Sequence, residues 1–329
     1  METSSIGYGC ASLYAIPTRK ERQIVLDAAF DAGIRHFDVA PMYGLGLAES
    51  ELSTLVSRHR DEITVATKFG IDVNAAGKIF GRVQGPMRRL MTRMPQIREK
   101  VRGPGGSNAG LANSLLYVTS PNTVANAKRS LDASLRRLKV DYIDVFLLHD
   151  PQSDLLPDHE GLTAYLDAQV ESGTIRTWGI ASDAHAPNGE VEQMIWHSPV
   201  LQAREDIFTK TEEVTRKHPG ARISFGIIER GLTGFTEYFE QFPAEREAWS
   251  SRLDCDLAAA SGIANVLLSQ ALCSNDRGPV LFSSTKVHRI FQAAAQAGSE
   301  QMSHSQSAKL GELAGAVQAW WGGDASHEN

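Results

Sequence analysis

Four side chains in this 329-residue sequence have the chemistry for moving protons to and from a bound small molecule. Each lies at or just after the C-terminal end of a β-like run. Asp38 and Tyr43 flank Pro41 in His36-Phe37-Asp38-Val39-Ala40-Pro41-Met42-Tyr43-Gly44. Ile34 to Val39 alternates and is rich in β-formers, and Pro41 forbids further ladder hydrogen bonding. Lys68 ends the run Ile63 to Thr67, and His149 ends Tyr142 to Leu148. A free phenol titrates near ~10, too high for a general acid working at neutral pH. A neighbouring ammonium lowers that value by stabilising phenolate. A carboxylate behind the ammonium keeps it charged and fixed. Asp38, Lys68 and Tyr43 can form that chain, and a neutral His149 can donate to a carbonyl oxygen. None of the four carries a hydride, so carbonyl chemistry here implies a nicotinamide cofactor. Singly, each has an ordinary role: an Asx turn, a wall residue, a snorkelling lysine, a hydrogen-bonded strand-end histidine. Their joint placement at three strand ends favours chemistry.

The elements that must position them alternate. Thr18 caps a helix predicted over Arg19 to Ala32, stopped by Gly33. Helices follow at Ala48 to Arg58, Val124 to Leu138, Glu160 to Glu171 and Gly189 to His197, and part of one at Glu212 to Lys217. Further helical segments fill Phe235 to Leu272, and Lys286 to Ala297 is another. Strands are predicted at Ile6 to Ala11, Ile175 to Ala181, Val200 to Gln202, Ile223 to Ile228 and Val280 to Phe282. About eight strand–helix alternations favour a parallel sheet with helical crossovers. The expectation is one (β/α)8 TIM barrel domain over residues 1–329, with chemistry at the C-terminal strand ends. The rival, an open doubly wound sheet, lacks a Gly-x-Gly-x-x-Gly turn after any early strand. Residues 69–121 interrupt the alternation with a long loop insertion rich in Gly, Pro, Met and Arg. It is either a lid over the active-site face or a solvated surface insertion. Its basic residues, Arg88 and Arg89 among them, raise the case for an anionic substrate. The 298–329 tail has an amphipathic piece, Leu310 to Trp321, that packs on the barrel or on a partner subunit.

Composition narrows the classes. A formal charge of −6 argues against general nucleic-acid binding. No run of ~18 apolar residues is long enough for a membrane span, and no signal peptide is visible. Cys10, Cys255 and Cys273 have no metal spacing and read as reduced, cytoplasmic thiols. No metal site is expected, and oligomeric state is not encoded legibly.

The segment Gly33-Ile34-Arg35-His36-Phe37-Asp38-Val39-Ala40-Pro41-Met42-Tyr43-Gly44 resembles the aldo-keto reductase signature around the catalytic Asp and Tyr. Ala66-Thr67-Lys68 is similar to the lysine segment. Ser130 to Leu138, then Asp141-Tyr142-Ile143-Asp144 and Leu147-Leu148-His149, is similar to the family's helix and histidine strand. The likeness covers about residues 5 to 297 apart from the insertion. It implies a (β/α)8 barrel and NAD(P)-dependent interconversion of carbonyl and alcohol. By that likeness Tyr43 is the proton donor, Lys68 and Asp38 tune it, and His149 positions the carbonyl of a small-molecule substrate.

The resemblance also implies a cofactor site. Ser182 would hold the carboxamide, with Ala181 or Asp183 beside it depending on a one-residue shift, and Gln202 matches the family's cofactor-site glutamine at the end of a short strand. Phe225 matches the aromatic under the nicotinamide. Phe282 to Arg289 resembles the adenosine-phosphate segment, where Ser284, Lys286 and Arg289 suit a 2′-phosphate, favouring NADP (NADPH) over NAD. Ala48 and Ser53 stand where the family usually has serine and glycine. The segments Gly44 to Leu47 and His149-Asp150-Pro151 also resemble aldose 1-dehydrogenases of the family. That leaves three functions open: carbonyl reductase, sugar or secondary-alcohol dehydrogenase, and a cofactor-binding interaction module without catalysis.

Overall fold

A computed structural model describes residues 3–74, 117–182, 189–209, 217–299 and 302–324. Sequence expectations for Asp183, for residues 212–216, for Arg88 and Arg89, and for most of the insertion fall outside these. Strands β1 (Ile6–Gly9), β2 (His36–Asp38), β3 (Thr64–Phe69), β6 (Ile143–His149), β7 (Ile175–Ser182), β8 (Val200–Arg204), β9 (Ala221–Phe225) and β10 (Val280–Phe282) form a barrel. It closes in the order β1-β10-β9-β8-β7-β6-β3-β2, with every pairing parallel. Parallel neighbours need crossovers, and helices supply them: α1 (Arg19–Asp31), α2 (Ala48–His59), α3 (Val124–Leu138), α4 (His159–Glu171) and α5 (Gly189–His197). Helices α6 (Glu229–Gln241), α7 (Pro243–Leu253), α8 (Ala260–Ser274), α9 (Val287–Ala297) and α10 (His304–Asp324) complete the described chain. This is the (β/α)8 TIM barrel.

Local chemistry sets the boundaries. Thr18 caps α1 through a capping box with Glu21, so two first-turn donors are satisfied reciprocally. Strand β2 begins two residues later than its β-forming pattern, because the Ile34 amide bonds back to Ala29 O and closes the end of α1. Strand β9 stops at Phe225, three residues short of the expected Ile228, because Gly226 turns the chain at φ 70° toward α6.

A small cluster of strand residues, among them Ala66, Leu147, Ala181, Ile223 and Leu281, packs against Phe225, and two further clusters complete the core. The larger lies between barrel and helices, with Phe37, Leu52, Leu131, Phe146 and Trp178 almost fully buried. The second joins α6, α7, α8 and α10 through Phe235, Phe239, Leu310, Leu313 and Val317. The tail's amphipathic piece thus extends into a longer helix that packs on its own chain. The Gln318 amide donates to Phe208 O at 2.8 Å and the Trp321 indole to Glu237 Oε2 at 3.2 Å.

The ends of the insertion are ordered against each other. Strands β4 (Ile71–Val73) and β5 (Tyr117–Thr119) pair antiparallel beyond the top of β3. Gly70 makes that exit possible: at φ +114°, an added Cβ would lie 2.9 Å from Asn122 Oδ1 and 3.2 Å from the His149 carbonyl oxygen.

Candidate active site

The parallel register brings the strand-end residues to one rim. Asp38 lies opposite Ala66 and Lys68 opposite Leu147, while His149 lies opposite Ala181. Asp38 and Lys68 are buried, and the Lys68 ammonium donates to both carboxylate oxygens, at 2.6 and 2.7 Å, and to Val39 O at 3.3 Å. Tyr43 occupies a 3-10 turn after Pro41. The Lys68 ammonium lies 5.2 Å from its ring centroid, where its charge acts on the phenol. His149 meets the same ring edge-on, centroids 6.3 Å apart at 88°. Gly44 holds this turn at φ +60° against the Tyr14 ring, where a Cβ would approach to 2.1 Å. No other residue fits that contact without moving the loop that carries Tyr43.

Electrostatics here are a contest between burial and pairing. Burial pulls the Lys68 ammonium down, but the Asp38 carboxylate and Tyr43 outweigh it, and the net shift is upward. The lysine therefore stays charged. Burial pushes the Tyr43 phenol up, and the opposing pull of Lys68 is not enough to reverse it. This differs from the sequence expectation of a lowered phenol. The reason is desolvation: phenolate gains Lys68 as a partner but loses water. One pleat below Asp38, buried His36 is pushed down to about 4, chiefly by desolvation, and its Nδ1 is 2.8 Å from Thr64 Oγ1. It stays neutral at physiological pH.

The expected cofactor residues fall in two groups. At the mouth, Ser182 ends β7 and is buried, and Phe225 ends β9 half-buried. Gln202 reaches across the barrel, and its amide donates to Asp38 Oδ2 at 2.8 Å. At the rim, Ser284 is buried, with its hydroxyl accepting from the Lys286 amide at 3.1 Å and its carbonyl from the Tyr8 hydroxyl at 2.9 Å. Lys286 and Arg289 are exposed at the start of α9, whose first turn has no side-chain cap. An uncapped helix N-terminus with adjacent cations is suited to phosphate oxygens.

The aldo/keto reductase family pattern matches residues 5–200 of this chain. The protein belongs to the aldo/keto reductase family. It is 34% identical over 152 residues to a D-threo-aldose 1-dehydrogenase of Pseudomonas sp, a match covering 45% of this chain and 40% of that one. It is 28% identical over 190 residues to the L-glyceraldehyde 3-phosphate reductase of Escherichia coli strain K12, covering 55% and 43%. The matched part thus spans less than half the length of these curated relatives. Among solved structures, the holo form of an aldo-keto reductase from Bacillus halodurans superposes with TM-score 0.68 at 16% identity, covering 95% of this chain and 93% of that one. A Klebsiella pneumoniae aldo-keto reductase in complex with NADPH gives TM-score 0.61 at 17% identity, covering 95% of each chain. At these identities the structural likeness concerns the fold.

Several neighbours of the tetrad in this aldo/keto reductase escaped the sequence analysis. Glu49, fully buried on α2, accepts from Thr67 Oγ1 at 2.7 Å and from Arg137 Nε. Thr67 immediately precedes Lys68, so the buried carboxylate braces the lysine strand from outside the barrel. Arg204 sits two residues after Gln202, hence on the same face of β8, with its guanidinium 5.3 Å from the Phe225 centroid. Its period-2 spacing from Gln202 was the signal that could have found it. Among the described residues, no cluster of three or more His, Cys, Asp or Glu could hold a metal ion, and no helix is long and apolar enough to cross a membrane.

Proposed function

We propose that this protein is an NADP-dependent oxidoreductase that reduces a small carbonyl compound, with Tyr43 as general acid. The observation that carries the proposal is the buried Lys68–Asp38 pair beneath the Tyr43 hydroxyl. A charged ammonium there stabilises the phenolate that forms as the tyrosine proton passes to the substrate oxygen. The raised phenol keeps its proton until a carbonyl oxygen arrives to take it. His149, edge-on to Tyr43, would orient that oxygen from the other side. Asp38 holds Lys68 in place, and Gln202 holds Asp38.

The residues present fit a dinucleotide. Ser182, Gln202 and Phe225 would hold its nicotinamide end, and Ser284, Lys286, Arg289 and the uncapped start of α9 would hold its adenosine phosphates. When bound, NADPH supplies the hydride. Arg289 and Lys286 favour a 2′-phosphate, because a guanidinium fork and an ammonium both match phosphate oxygens. The three free cysteines fit a reducing, cytoplasmic setting.

The identity to an aldose 1-dehydrogenase favours a second direction for the same site, oxidation of a sugar or secondary alcohol with NADP⁺ or NAD⁺. Both directions use the same tetrad, and microscopic reversibility makes Tyr43 the base in the oxidative one. The third possibility, a cofactor-binding module without catalysis, is less economical, since it leaves the buried ion pair without a purpose. The test is absorbance at the reduced-nicotinamide band with purified protein, a panel of aldehydes, ketones and aldoses, and all four dinucleotides. Turnover with NADPH and a carbonyl is expected. Nucleotide binding with no turnover in either direction would overturn catalysis and leave the interaction module.

A further inference from the structure

We propose that a cleft on the outside of the barrel, between the N-terminus of α1, α2 and the C-terminal end of α3, is a binding site for a small phosphate-bearing molecule. The cleft, of about 420 Å³, is lined by Arg19, Ser50, Ser53, Arg136, Arg137 and Lys139 together with Ala133. Four of these are cations and none is a carboxylate. The surrounding protein is acidic, with net charge −6, so the concentration of positive charge is local.

The balance of charge can be followed pair by pair. Arg137 is neutralised by buried Glu49. Arg19 has Glu51 at 3.6 Å, although Glu51 already serves Arg22 at 2.8 Å. Among the described residues no carboxylate lies within 4 Å of Arg136 or Lys139, and both are exposed. The cleft is therefore left with roughly two uncompensated positive charges, which matches a phosphate monoester near neutral pH. The Ser50 hydroxyl adds a neutral donor at the wall, while the Ser53 hydroxyl is engaged with Ser50 O at 2.8 Å.

A simpler account assigns the cations to the negative end of the α3 dipole. That explains Arg136 and Arg137 in the last turn. It does not explain Arg19, which opens α1 and so sits at a positive helix end. The two helix ends oppose one another across the cleft, and the side chains decide the sign. Lys139 is also held at φ 59°, a left-handed conformation in which glycine is the less strained residue. A charged side chain is thus present where backbone geometry alone would favour none.

The position is separate from the proposed nucleotide site, which lies at the start of α9. It is nevertheless close to the chemistry: Arg137 shares Glu49 with Thr67, the residue before Lys68.

Isothermal titration of the full chain with inorganic phosphate and with pyrophosphate tests the site. Three proteins are compared: wild type, R136Q/K139N, and Arg289→Gln. Saturable binding is expected for wild type, weakened at least tenfold in R136Q/K139N and retained in Arg289→Gln, in which the proposed phosphate rim of the nucleotide site has lost its guanidinium. Absence of saturable binding of either probe, equal affinity in R136Q/K139N, or loss confined to Arg289→Gln would each overturn the proposal. If the double variant folds poorly by circular dichroism, the single Arg136→Gln change, at an exposed helical position, carries the same comparison.

Discussion

The barrel wall up to β7 and the part of the chain beyond residue 200 are built on different terms. In the first, polar side chains are buried and paired: Asp38 with Lys68, Glu49 with Thr67 and Arg137, Asp144 with Arg60 and the Val65 amide. In the second, the two cations proposed to meet a ligand, Lys286 and Arg289, stand in solvent, although Gln202 and Ser284 are buried, and α10 closes a separate apolar cluster. The family pattern covers the first part, residues 5–200. The difference teaches where each property resides. Reactivity depends on desolvated charges that tolerate little change, whereas ligand preference depends on exposed groups whose loss costs little stability.

Substitutions can break this division or sharpen it. Tyr43→Phe should lower turnover by a factor on the order of 10²–10⁴, with the dissociation constant for NADPH, read by fluorescence quenching, unchanged. Lys68→Met leaves the Asp38 carboxylate buried without its cation, and should cost about 3–5 kcal/mol in denaturant unfolding. A loss below 1 kcal/mol would mean that the buried pair is not the keystone described. In the other region, Leu313→Ala removes a fully buried side chain from the α10 cluster and should cost about 2–5 kcal/mol. Turnover at low temperature should stay near wild type; a large drop in turnover would show that the two regions are coupled.

Acid offers a further handle on the first region. The unfolded chain takes up a proton at His36 below about 6.5, while the buried ring, pushed down to about 4, does not. The unfolded state then binds more protons, so stability falls as pH drops through that window, by at most about 3 kcal/mol. His36→Gln should flatten the slope of unfolding free energy between those values. The smallest effect belongs to the exposed rim: Arg289→Gln should reduce the preference for NADPH over NADH roughly tenfold, about 1.4 kcal/mol, with no change in melting temperature.

How much of this was legible in the sequence follows from the range of the forces involved. The tetrad was visible because each member ends a run with β periodicity, and parallel strands in a barrel bring such ends together. The capping box of α1 was half visible, through Thr18, since capping is local. The Gln202 bond to Asp38 was not visible, because it depends on barrel register between residues 164 positions apart. Sequence pattern suggested a cofactor ligand at Gln202, and the fold adds a bond to the Asp38 carboxylate that no local pattern encodes. The lowered phenol expected for Tyr43 failed for a related reason: desolvation depends on everything packed around a group. The pairing of Ile71–Val73 with Tyr117–Thr119 was hidden by the length of chain between them.

One further consequence comes from the seam where the ends of the barrel meet. β1 pairs with β10, the Tyr8 hydroxyl holds Ser284 O, and Ser283 Oγ holds Gly9 O across 274 positions of sequence. A chain leaving the ribosome cannot assemble the proposed phosphate rim until its last strand has emerged and zipped onto its first. A nucleotide added during refolding would then report only molecules that have completed the circle, and could not template any earlier stage. Its binding kinetics would serve as a clock for closure.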